Sequence, residues 1–184
     1  MIAYLLLLVA VLSRLLLVAG GVPMHAGWMN FTAVGGVLLY FGARRSWREM
    51  ATPLVVLMAT DYFLTTRVYH FSFEWQFYVP TWIWYIAAMA LGQILLRTRT
   101  SFVRVASGAL LGPTSFFLIS NYAVWASTAM YPKNLGGLGL CYVAGLPFYR
   151  NDLFSTALVA AVLFGAPVLV RQMRAMGKHA EAKI

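Results

Sequence analysis

Acidic residues are scarce in this chain. Five Asp and Glu stand among 184 residues, against fourteen Lys and Arg, and the four charged types together make up only 10%. Soluble domains carry about 25% charged and about 45–50% apolar residues. Here the hydrophobic share is 61% and the mean hydropathy is +0.75. That excludes an ordinary soluble domain and implies an integral membrane protein, with residues 1–184 forming a single membrane domain. Cysteine is nearly absent too. Cys141 stands alone, so neither an intramolecular disulfide nor a multi-cysteine metal site is available. The three histidines show no HxxxH or HExxH spacing, so no metal motif is present. No Gly-x-Ser-x-Gly or Ser–His–Asp arrangement anchors a catalytic centre. The reading is therefore of no enzyme, no cofactor and no metal. The formal charge of +9 would suit nucleic acid, but the basic residues fall between apolar runs and form no patch, so no nucleic-acid partner is expected.

Turning to what is there, a helix needs roughly 20 apolar residues to cross the hydrocarbon core. Six runs qualify as candidates: 2–20, 28–43, 52–69, 78–96, 102–128 and 152–170. No basic residue precedes the first, and Arg14 interrupts it where a secretory signal would continue, so it reads as a helix of the mature protein. Pro113 is expected to kink the fifth. The linker 129–151, YPKNLGGLGLCYVAGLPFYRN after Met130, is too apolar for a solvated loop. It is expected to lie on the surface or re-enter the protein as a lid, with Gly136, Gly137 and Gly139 permitting motion.

Charge gives the orientation. Arg44, Arg45 and Arg48, then Arg97, Arg99 and Arg104, then Arg171, Arg174, Lys178 and Lys183 supply ten of the fourteen basic residues. All ten fall on one side if six helices alternate. The positive-inside rule assigns them to the cytoplasm, together with both termini. The fold class is thus all-α, a bundle of six transmembrane helices in contact with the lipid bilayer. Trp28, Trp75, Trp82, Trp84 and Trp125 fall near outward ends, as an interfacial belt would.

The remaining polar residues collect in the outer half. Arg14, Asn30, Asp61, Arg67, Asn121, Tyr122, Trp125, Arg150, Asn151 and Asp152 are the candidate substrate-binding residues. Ionisable groups at membrane depth cost several kcal/mol, roughly 2.5–3.5 on insertion scales, so they face the interior and pair. Asp61 can neutralise one arginine and leave the other for an anionic or hydrogen-bonding ligand. Asn30, Asn121 and Asn151 would read hydrogen bonds, with aromatic walls from Tyr122, Trp125, Tyr131, Tyr142 and Tyr149. Plainer roles stand beside these. Arg14–Asp61 is equally a structural pair, and Arg67 and Arg150 are suited to snorkelling. Asn30 suits a cap for the second helix, and Asn151 or Asp152 a cap for the sixth. The small-residue series Gly108/Gly112 and Ala157/Ala161/Gly165 mark close helix packing, within the chain or against a membrane partner subunit.

The block FFLISNYAVWASTAMYPKNLGGLGLCYVAGLPFYRNDL (116–153) and the stretch NFTAVGGVLLYFGA (30–43), followed by Pro53-Leu54 and Asp61, resemble an uncharacterised bacterial membrane family labelled as transport proteins. That family in turn is similar to the substrate-binding S components of energy-coupling-factor transporters. The resemblance implies six helices, cytoplasmic termini and an outward-opening pocket; it is one of fold and topology and does not name the substrate, which is expected to be small and vitamin- or cofactor-like. One departure stands out. S components dock to their energising subunit through Ala-xxx-Ala on the first helix, whereas here Ala3 is followed by Leu7 and Ala10 by Arg14. The expectation is a membrane substrate-binding protein or transporter for a small polar molecule. The alternative is a structural or accessory subunit of a larger membrane complex.

Overall fold

The computed structural model describes residues 1–19 and 30–181. The connection 20–29, with His25 and Trp28, and the terminal Lys183 lie outside the described residues. The chain is all-helical, with no strand among the described residues. The helices are α1 (Ile2–Ala19), α2 (Val34–Arg44), α3 (Ala51–Phe63), α4 (Val79–Leu96), α5 (Phe102–Ser127) and α6 (Leu135–Glu181). A π-helical turn, Leu64–Val68, continues α3, and short 3-10 turns at Trp47–Met50 and Trp75–Tyr78 lead into α3 and α4.

Among the described residues three helical stretches are long and apolar enough to cross a membrane: Trp75–Leu96, Phe102–Ser127 and Leu135–Val168. Their outer faces carry Ile94, Val103, Leu110 and Phe154, each more than half exposed. Contiguous apolar surface of this kind is what lipid, rather than water, covers. These helices give the chain the character of a membrane protein.

The short α2 is the hub. It packs on α1, α4, α5 and α6, and Leu38, Leu39 and Phe41 are fully buried within it. With no hydrophobic drive between helices in lipid, close backbone approach is what holds them. The α2–α4 crossing shows why glycine is needed there. A Cβ at Gly42 would run into the Met89 carbonyl, and one at Gly92 into the Leu39 carbonyl. Of the series singled out in the sequence, Gly108 faces Leu39 of α2, and the Gly112 carbonyl accepts the Trp84 indole N–H at 2.9 Å.

The structure corrects three expectations. Residues 135–151 are helix, not a lid, and continue unbroken into the sixth span. A backbone in lipid must satisfy its polar groups internally, and that outweighs the weak helix propensity of Gly136, Gly137 and Gly139. The cap of α6 is accordingly Asn134, whose Oδ1 accepts the Gly137 N–H at 2.8 Å, and Asn151 and Asp152 sit in mid-helix. Trp82 and Trp84 belong to the interior, not to a belt. Trp84 is 6% exposed, and both indoles donate to buried acceptors.

The α5–α6 turn is tied by Lys133, whose ammonium donates to the Trp125 and Thr128 carbonyls at the α5 C-terminus and lies 5.6 Å from the Trp125 ring centroid. At the other end of the bundle Glu49 joins α1 to the α2–α3 turn. Its Oε2 accepts the Tyr4 hydroxyl at 2.8 Å, its Oε1 accepts the Ser46 N–H and hydroxyl, and Arg45 lies 3.4 Å away.

Two predictions follow from this packing. Gly42→Val should destabilise by at least about 1–3 kcal/mol, the usual cost of overpacking, because the obstacle is a main-chain carbonyl; thermal melting of the detergent-solubilised protein reads it. The Tyr4 hydroxyl above all, with Ser46 and Arg45, holds the Glu49 carboxyl below its ordinary pKa of 4.5. A depressed folded-state pKa contributes stability that is complete above the ordinary value and fades as pH falls through the lower one. The melting temperature should therefore drop on acidification below pH 4.5 more steeply in the unmodified protein than in Glu49→Gln.

Candidate functional site

Two polar assemblies lie inside the bundle. The first joins α1, α3 and α4. Asp61, 2% exposed, accepts an Arg14 N–H at 2.7 Å, the Trp82 indole N–H at 3.0 Å and the Tyr85 hydroxyl at 3.3 Å. Arg14 in turn donates to the Tyr85 oxygen at 3.3 Å, and its side chain is 20% exposed. Phe73, Tyr78 and Trp82 stack in series beside it, with centroid separations of 4.9 to 6.3 Å. The charges of Arg14 and Asp61 are thus met within the cluster.

The second assembly is a cavity of about 180 Å³ between α5 and α6. Its polar lining is Asn30, Ser120, Asn121, Tyr149 and Asp152; its apolar lining includes Phe116, Phe117 and Phe148. The sequence builds it by turning α6 inside out. Asn151, Asp152, Ser155 and Thr156 lie on one helical face and are all buried, while Phe154 and Leu158 point outward and are more than half exposed. Asp152, 7% exposed, accepts the Thr156 hydroxyl, at 3.3 Å to Oδ1, as its one side-chain donor among the described residues. On α5, Asn121 donates its amide N–H to the Phe117 carbonyl at 2.8 Å. Its Oδ1 faces Gly145, where a Cβ would come within 2.5 Å, so glycine keeps that wall open. The Tyr149 hydroxyl meets the Thr114 hydroxyl at 2.9 Å. Asn30 borders the cavity from the chain entering α2 and has φ 63°, a left-handed conformation that asparagine tolerates well.

The candidate residues thus separate into groups. Arg14 and Asp61 pair with each other. Asn30, Asn121 and Asp152 share the cavity. Asn151 is buried beside Asp152. Tyr122 and Trp125 meet at a tilt of 44°, with centroids 5.7 Å apart, near the α5 C-terminus, where the Trp125 indole donates to the Pro132 carbonyl. Arg67 and Arg150 are exposed and line neither assembly. Among the described residues no group of three His, Cys, Asp or Glu is placed to hold a metal ion.

Sequence reasoning missed Tyr85 and Trp82 as partners of Asp61, and Ser120 in the cavity. Trp82 and Tyr85 are three apart on one helix, so both donors project from one face; that spacing was the available signal. Ser120 adjoins Asn121 in a long apolar run, where two consecutive polar residues already mark an inward face.

Breaking a buried ion pair by removing one member costs about 3–5 kcal/mol, because the other charge is left uncompensated. Asp61→Asn should lower stability by about 3 kcal/mol, toward the lower end since Arg14 is partly exposed. The double variant Arg14→Met/Asp61→Leu should recover most of that loss in the same melting assay.

A family model matches residues 1–178, and its description is "Family of unknown function (DUF6580)". The chain belongs to this family. No curated protein and no solved structure matches it.

Proposed function

We propose that this member of a family of unknown function is a membrane protein of six spans, with both termini in the cytoplasm, that binds a small polar molecule from the outer face and serves its uptake. The observation that carries the reading is the α5–α6 cavity: a buried carboxylate, two amides and two hydroxyls gathered around empty volume, apart from the Arg14–Asp61 pair. Polar groups are expensive in such surroundings, and a small-molecule site is the arrangement that uses them. The charge asymmetry supports the sidedness, since Asn30 belongs to the connection that it assigns to the outside. The six helices are compatible in number with the S-component-like pattern that the resemblance implies. The first helix lacks the Ala-xxx-Ala motif, and its Ala3 and Ala10 are buried in the bundle, which speaks against docking of an ATP-driven partner there.

An accessory subunit of a larger membrane complex is the second reading. The observation in its favour is an apolar groove of about 810 Å³ between the start of α5 and α6, lined in part by Ala106, Ala109, Ala157 and Ala161. Native mass spectrometry of the gently extracted protein separates the two. Binding and uptake predict a lone chain retaining a small molecule, lost in the Asn121→Ala/Asp152→Ala double variant. A stoichiometric complex with the cavity empty would reverse the order of the readings.

A further inference from the structure

We propose that the α5–α6 cavity takes a small molecule bearing a cationic nitrogen, such as a protonated primary amine, with Asp152 as its counter-ion. The inference rests on the reading of this cavity as the binding site and adds the charge of the ligand.

Asp152 is 7% exposed and lines the cavity, yet its described donor is a single hydroxyl at 3.3 Å. The two ion pairs among the described residues are Arg14–Asp61 and Arg45–Glu49, and neither includes Asp152. The cations first assigned to ligand binding are not available to it: Arg14 is held by Asp61, and Arg67 and Arg150 are exposed elsewhere. A buried carboxylate without a cation costs several kcal/mol, and a cation arriving with the ligand relieves that cost. An anionic ligand would add like-charge repulsion in a medium of low dielectric.

The rest of the lining suits an ammonium group. Such a group has three donors and no acceptor. The Asp152 carboxylate, Asn121 Oδ1 and the Ser120 hydroxyl are oxygens that accept, and the Asn121 N–H is already spent on the Phe117 carbonyl. Phe116, Phe117 and Tyr149 contribute aromatic rings, whose faces attract a cation by a further ~0.5–2 kcal/mol. The volume of about 180 Å³ matches roughly six heavy atoms at the ~30 Å³ that a water occupies in the liquid. The ligand, or the part of it held here, is therefore small.

The test uses the full chain in lipid nanodiscs, with propylammonium, 1-propanol and propionate as probes of one shape and three charges. Saturation-transfer NMR titrations, with empty nanodiscs subtracted, read their affinities. Propylammonium should bind at least tenfold more tightly than either analogue, and Asp152→Asn should erase that preference. Gly145→Ala, which retains Asp152 but crowds Asn121 into the cavity, should weaken all binding. If propanol or propionate binds as well as propylammonium and Gly145→Ala abolishes it, the cavity stands as a site and the cationic ligand is wrong. Cation binding unchanged in Asp152→Asn overturns the proposal in the same way. If no probe binds the folded protein, both the cavity reading and its charge fall. Selectivity in the unmodified protein decides the charge even where Asp152→Asn does not fold.

Discussion

The ion pair between Arg14 and Asp61 sets the terms for the rest of the interior. A charge in a low-dielectric medium must be met by a partner and by hydrogen bonds that satisfy what the partner leaves over. Arg14 supplies the partner, and the Tyr85 hydroxyl and Trp82 indole supply the remainder. Three helices are fastened together in a cluster that presents little net charge. The arginine is thereby spent on architecture, and whatever recognition the molecule performs must draw on other residues.

α6 reverses the usual arrangement of a soluble helix. Its polar face looks into the bundle and its apolar face looks out. The hub α2 makes this possible by being thin. Gly35 and Gly36 lie against Thr156 and Val159 of α6, and Gly42 against α4, so both neighbours approach its backbone closely. Between α5 and α6 a space is left unfilled, and of the buried polar face Asp152 borders it.

Much of this was legible in the sequence, and the failures have definite causes. The apolar runs located the helices because apolar length follows directly from a hydrophobic environment. The Arg14–Asp61 pairing followed from the small number of charges inside the spans. The stretch 129–151 was misread because its glycines and prolines are breakers in water, where an unwound backbone is solvated; lipid offers no such alternative. Taking 129–151 as a linker starts the last helix at Asp152, and an acid at a helix start suits a cap. The approach of α2 to α4 had no sequence signature, because Gly42 and Gly92 acquire meaning only when their helices cross. The burial of Trp82 and Trp84 depended in the same way on what faces them.

The length of α6 has a consequence of its own. Its apolar stretch Leu135–Val168 has 34 residues, or about 51 Å at ~1.5 Å per residue, against a hydrocarbon core of ~30 Å. Observed tilts of up to ~40° cannot absorb that hydrophobic mismatch. Part of the rod must rise through the headgroups or thicken the lipid around it. A thin bilayer would leave the glycine-rich first turns standing in water, and a thick one would sheathe them in acyl chains. The depth at which Asp152 lies below the membrane surface is therefore set jointly by the protein and by the thickness of its host membrane.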